Sequence, residues 1–207
     1  MRNKLRASPI YKIGLVLSAL TLGSVAALAQ SETIDLTVCN NSSLCNGTTV
    51  LATVTKTQVA GNQVDFSVSG QNGYSLQNAG NVFGFNSTIS GLSITNISPS
   101  TDSAGGAGNL NGFGSFNYTI NSSAGGNPTI SSLTFDVTNS SGTLSLAQVD
   151  VTNASGWEFA AHISNPGNTL TGFGTGPVPE TTSISLFGSA LLLAGIWVRK
   201  RLPNHPA

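Results

Sequence analysis

The chain has 207 residues, with eight Lys+Arg balanced by eight Asp+Glu, and only 8% of its residues are charged. Soluble domains usually carry about 25% charged residues, so neutral Ser, Thr and Asn side chains must supply solubility here. The low charge and the lack of a basic patch exclude nucleic acid as a partner.

The zero net charge hides an uneven distribution. Arg2, Lys4, Arg6 and Lys12 lie at one end and Arg199, Lys200 and Arg201 at the other, while every acid falls between Glu32 and Glu180 with Lys56 as sole basic companion. At the N-terminus a basic flank precedes an uncharged apolar run from Ile13 to Val25, then Ala27-Leu28-Ala29. This order reads as a secretory signal peptide over 1–29, with Ala27 and Ala29 as the small residues of the cleavage site and Sec-type export machinery as partner. The apolar run is shorter than the ~20 residues that a membrane-spanning helix needs.

Residues 30–176 form the body, and their apolar residues alternate with period two rather than the helical 3.6. Ile34, Leu36 and Val38 form the first such set. Cys39 and Cys45 follow, and two cysteines in an exported chain read as a disulfide that pins a hairpin loop. Further alternating sets are Val64/Phe66/Val68, Phe116/Tyr118/Ile120, Leu133/Phe135/Val137 and Trp157/Phe159/Ala161/Ile163. Segments 49–57, 81–86, 91–97 and 143–152 are additional strand candidates, the last with a bulge near Ala147 where the alternation changes parity. Gly, Asn, Ser and Pro clusters separate the runs. The pattern predicts about nine strands in an all-β fold, an antiparallel β-sandwich of jelly-roll-like or immunoglobulin-like type. Ser103 to Gly108 reads as a flexible loop or linker, and Gly172 to Gly176 as a stalk.

Catalytic signatures are absent from the body: no nucleophile elbow, zincin helix or phosphate loop occurs. His162 is its single histidine. Glu158 and His162 share one strand face but lie ~13 Å apart, too far for an acid–base pair, so both are expected on a solvated face. Asp35, Asp65, Asp102, Asp136 and Asp150 offer oxygens for Ca²⁺ but no Asp-x-Asp-x-Asp-Gly loop, and the reading has no metal and no cofactor. Tyr74, Phe83 and Phe113 flank Gly-rich turns and are the candidates for stacking on sugars. Asn-x-Ser/Thr sequons begin at Asn40, Asn41, Asn46, Asn86, Asn96, Asn117, Asn121, Asn139 and Asn153 and offer glycan acceptors.

After the body, Gly176-Pro177-Val178-Pro179-Glu180 leads into Thr181 to Val198, which carries no charge. As a helix 181–198 would extend about 27 Å, near the thickness of a hydrocarbon core. Arg199, Lys200 and Arg201 follow at once and hold the C-terminus in the cytoplasm by the positive-inside rule. Val178-Pro179-Glu180, one spanning helix and a terminal basic cluster together resemble the PEP-CTERM sorting signal of Gram-negative bacteria, over 177–202. Thr181 replaces the second Pro of that family's usual tetrad. The resemblance implies processing by exosortase, a membrane-embedded enzyme with a proposed Cys nucleophile, and association with exopolysaccharide and biofilm. It thus implies transient anchoring in the inner membrane, followed by transfer to the cell surface or extracellular matrix. A non-enzymatic surface or matrix protein is the leading expectation; a carbohydrate-binding module or adhesin is the alternative, ahead of an extracellular hydrolase. Loss of both basic ends would leave eight acids against Lys56, a formal charge of about −7.

Overall fold

A computed structural model describes residues 29–125 and 128–176. The signal peptide apart from Ala29, and all of the sorting signal, including Val178, Pro179, Glu180, Arg199, Lys200 and Arg201, lie outside the described residues. So does the 181–198 segment; no helix among the described residues is long and apolar enough to cross a membrane.

Within the described residues the chain is all-β, and every strand pairing is antiparallel. Its strands are β1 (Ser31–Leu36), β2 (Val38–Cys39), β3 (Ala52–Ala60), β4 (Gln63–Gly70), β5 (Ser75–Gln77), β6 (Gly80–Phe85) and β7 (Ser93–Ser98). There follow β8 (Asp102–Gly105), β9 (Gly108–Leu110), β10 (Gly114–Phe116), β11 (Tyr118–Ser122), β12 (Thr129–Ile130), β13 (Ser132–Thr138), β14 (Phe159–Ser164) and β15 (Thr171–Thr175).

The first sheet has five strands in the order β1-β3-β4-β13-β7. Its inner face is the period-two set read from the sequence: Ile34, Leu36, Val54, Val64, Phe66, Val68, Leu133, Phe135 and Val137 are all buried. In the second sheet β12-β5-β14-β6-β11-β8 run side by side, with β15 and β2 extending from β14. Phe83, Phe85, Ile120, Phe159, Ala161 and Ile163 project from it into the same core. The rings interlock there: Phe66 stacks on Phe135 at 4.9 Å, and Phe83 on Phe159 at 6.0 Å. Such pairs add to the burial free energy of aromatic side chains.

The second sheet is covered on its other face as well. Leu110, Phe113, Phe116 and Ala160 form a separate buried cluster, with Val38, Trp157 and Phe173 packed against it. The two-stranded β9–β10 ribbon carries most of this layer. Gly84 lies opposite both Thr119 and Ala160 in the ladder. A Cβ on Gly84 would come within 2.8 Å of Leu110 and 2.9 Å of Phe116, so only glycine admits the covering layer this closely.

This outer layer accounts for several departures from the sequence reading. Phe116 and Ile120 do not share one strand face: the chain breaks at Asn117, and Phe116 belongs to the outer cluster while Ile120 belongs to the main core. Trp157 likewise precedes β14 and packs edge-on against Phe113 at 5.3 Å. Ser103 to Gly108 is no linker, because β8 pairs with β11 and β9 with β10. Nor is Gly172 to Gly176 a stalk. It forms β15, hydrogen-bonded to β14 and β2, and a Cβ on Gly176 would lie 2.7 Å from the Asp35 carbonyl oxygen. Here glycine serves close approach, not flexibility. The parity change in 143–152 marks a short 3-10 turn, Leu146–Gln148, rather than a bulged strand.

Candidate functional site

Lys56 is the single lysine or arginine among the described residues, and it points inward. It follows Ala52 and Val54 on the buried face of β3 and is 0% exposed. A buried ammonium is costly unless paired, and the surroundings supply partners. Glu32, its cross-strand neighbour on β1, places Oε2 3.3 Å from Nζ. Asp150 reaches in from the segment between the 3-10 turn and β14, and its Oδ1 is nearer to Nζ than Glu32 is. The Phe159 ring lies 5.1 Å from Nζ.

Glu158 lies within electrostatic reach of Lys56. It is only 7% exposed, and its Oε2 has no hydrogen-bond partner. The expectation of a solvated face for Glu158 is therefore overturned: it lies in a bend before β14, outside the alternation of the strand, and its side chain is buried. Burial raises the Glu158 pKa from its ordinary 4.5 to about 7, against a smaller lowering by Lys56 and with a further raise from Glu32. Burial also lowers the Lys56 pKa, against opposing effects of Glu32 and Glu158. An amine biased towards neutrality and a carboxyl holding its proton near neutral pH thus share one dry corner.

The segment that presents Asp150 and Glu158 is held by Asn153. Its Oδ1 accepts from the Ser155 and Trp157 amides, and its Nδ2 donates to the Phe113 carbonyl. His162 is far from this chemistry in role: its Nδ1 meets the Ala79 carbonyl at 3.2 Å, its ring stacks on Phe173 at 4.5 Å, and burial lowers its pKa. It is half-buried, not solvated.

The other sequence candidates separate clearly. The Cys39 and Cys45 sulfurs are 2.03 Å apart, a disulfide that closes the loop over the buried Leu44. Phe83 and Phe113 are buried and offer no face for sugar stacking, while Tyr74 is partly buried against the core and its hydroxyl donates to the Leu44 carbonyl. Among the described residues, no group of three or more His, Cys, Asp or Glu could hold a metal ion. A surface cleft of about 430 Å³ is lined by Ser87, Thr88, Ile89, Ser90, Ala107, Asn117 and Tyr118. It holds no acid or base beyond Tyr118, whose hydroxyl donates to Ile89 and accepts from Leu92.

The sequons have a structural use. Asn41, Asn46, Asn139 and Asn153 each accept, through Oδ1, the amide of the Ser or Thr two residues on. These are Asx-turns, which favour the same Asn-x-Ser/Thr spacing. Asn86 is buried and bonds to Asn117 and Trp157.

No family model, curated protein or solved structure matches this chain.

No catalytic signature in the sequence pointed to the Lys56 cluster. The signals were a lysine on the core parity of a strand and the isolation of that lysine in an acidic body.

Proposed function

We propose that this chain is an exported, non-enzymatic cell-surface or extracellular-matrix protein, sorted by an exosortase-type enzyme and associated with exopolysaccharide. The observation that carries the reading is the tail, where Val178-Pro179-Glu180 precedes an uncharged apolar segment and Arg199-Lys200-Arg201. In it, Sec-type export places the body outside the inner membrane, and the tail holds it there until processing. The body is then a β-sandwich, jelly-roll-like or immunoglobulin-like, stabilised for an environment without chaperones.

Two features of the body support this. The disulfide suits an oxidising compartment. The outward face of the first sheet carries hydroxyl pairs across β1 and β3, Ser31 with Thr57 at 3.1 Å and Thr33 with Thr55 at 3.0 Å. Neutral hydroxyls suit contact with a hydrated polysaccharide. In a cell that carries the exosortase, Glu180→Ala is expected to leave the body in the membrane fraction, whereas the native chain is released or displayed. Unchanged release of the variant would overturn the sorting role.

A further inference from the structure

We propose that Lys56 and Asp150 are the two halves of an intramolecular isopeptide bond, formed without an added enzyme, with Glu158 carrying the proton. The argument begins with cost. The Lys56 ammonium is fully buried and the Asp150 side chain is only 19% exposed, so both charges lose much of their water, and their attraction only partly compensates. Joining them as an amide removes both charges and leaves a neutral group that needs only hydrogen bonds. The two atoms to be joined, Lys56 Nζ and the Asp150 carboxyl, are already in direct contact. Asp150 Oδ1 is buried and has no polar partner besides Lys56. Held in such contact, an amine and an acid react at effective concentrations far beyond those of free reactants.

In water the reaction fails because an ammonium has no lone pair and a carboxylate is a poor electrophile. Lys56 at 0% exposure and Glu158 at 7% remove both obstacles. One proton passes from the Lys56 ammonium to the Asp150 carboxylate, leaving a neutral amine and a neutral acid. The Nζ lone pair attacks Asp150 Cγ and a C–N bond forms. Glu158 takes a proton from Nζ and delivers a proton to the departing hydroxyl, and the C–O bond breaks with release of one water. The balance is ammonium plus carboxylate giving amide plus water, with no change of oxidation state and no co-reactant. Glu158 ends as it began and is the catalytic residue. The Glu32 carboxylate, 3.3 Å from Nζ, is the acceptor for the new amide N–H.

The topology gives the bond a purpose. Lys56 belongs to the first sheet, whereas Asp150 and Glu158 precede β14 of the second. The bond would tie one sheet to the other across the core, a linkage that reduction cannot open. It forms in the folded domain wherever the chain resides, so it stands or falls apart from the sorting reading.

Peptide mass spectrometry of the full chain, reduced and digested with chymotrypsin, tests it. The native chain is expected to yield a branched peptide in which the Lys56 fragment and the Asp150 fragment are joined, lighter than their sum by one water. Lys56→Arg keeps the charge but cannot acylate, and Glu158→Gln keeps the shape but cannot carry the proton. Both are expected to yield only the separate peptides. A native Lys56 peptide with an amine free to react after denaturation would overturn the bond, whether or not the variants fold. A branch to the Glu32 fragment would overturn the choice of Asp150, and a full branched yield from Glu158→Gln would overturn the proton carrier.

Discussion

The two sheets obey the same physics but differ in how many faces they bury. The first sheet has one face on the core and one in water, so its strands alternate cleanly: β13 runs exposed, buried, exposed, buried from Ser132 to Phe135. The second sheet is packed on both sides where β6, β11 and β14 meet, and β14 is buried at five of its six positions. There alternation is between large and small residues, not apolar and polar. Phe83, Phe85 and Phe159 face the core, while Gly84, Thr119 and Ala160 lie under the outer cluster. A strand buried on both faces no longer advertises its orientation by polarity.

Truncations should expose this difference. Phe66→Ala, at the centre of the ring stack, is expected to cost about 3–5 kcal/mol, because it opens a cavity that neither sheet can collapse into. Phe116→Ala removes an equally buried ring but from a small cluster near the surface. Its cost is expected to be lower, about 2–3 kcal/mol, since a peripheral site relaxes more readily. Equal losses in denaturant unfolding would mean that the outer layer is as integral as the core. Gly84→Val tests the layer from beneath: it must displace Leu110 and Phe116, at about 1–3 kcal/mol of overpacking.

The Lys56 corner makes a different test, because its contribution depends on pH. Glu158 keeps its proton in the folded chain up to about 7 but loses it near 4.5 when unfolded. Between those values the folded state binds the extra proton, so stability falls as pH rises through the window and levels off above it. The span corresponds to about 3 kcal/mol, and Glu158→Gln is expected to flatten it. Acylation of Lys56 would not reverse the sign, since it removes a positive charge that holds the pKa down. His162 acts oppositely: its lowered pKa makes stability fall as pH drops below its ordinary 6.5. A pH titration of Tm on Glu158→Gln and on His162→Asn separates the two.

The disulfide contributes a modest effect. Its loop is short, so Cys39→Ala with Cys45→Ala is expected to cost about 2 kcal/mol in the chain-entropy picture. A larger loss, measured by unfolding under oxidising conditions, would show that the loop also anchors β2 and β15 through Leu44 and Asn40.

Legibility followed local pattern. Val64/Phe66/Val68 and Leu133/Phe135/Val137 were readable as core-facing because each sits between polar neighbours that meet water. The cysteine pair was readable because six positions of chain leave little else to do. Phe116, Trp157, Ser103–Gly108 and Gly172–Gly176 were misread for one shared reason: their partners are distant in sequence. A glycine that admits a phenylalanine and a glycine that loosens a linker look the same in one dimension. Glu158 was misread because the period-two run was carried past the start of β14, whereas the chain bends at Glu158 and buries its side chain.

The sequence by itself determined the all-β class, the cysteine pair, the acidic and charge-poor body between basic ends, and the resemblance of the tail to a sorting signal. These properties reside in composition, short spacings and local order. Only the tertiary structure decided that one sheet is buried twice, that several sequon asparagines serve as turn caps, and that Lys56 meets Asp150 within electrostatic reach of a buried Glu158. Those three residues come from a strand of one sheet and the approach to a strand of the other. Their chemistry arises from a shared loss of water, which the fold creates and no local pattern records.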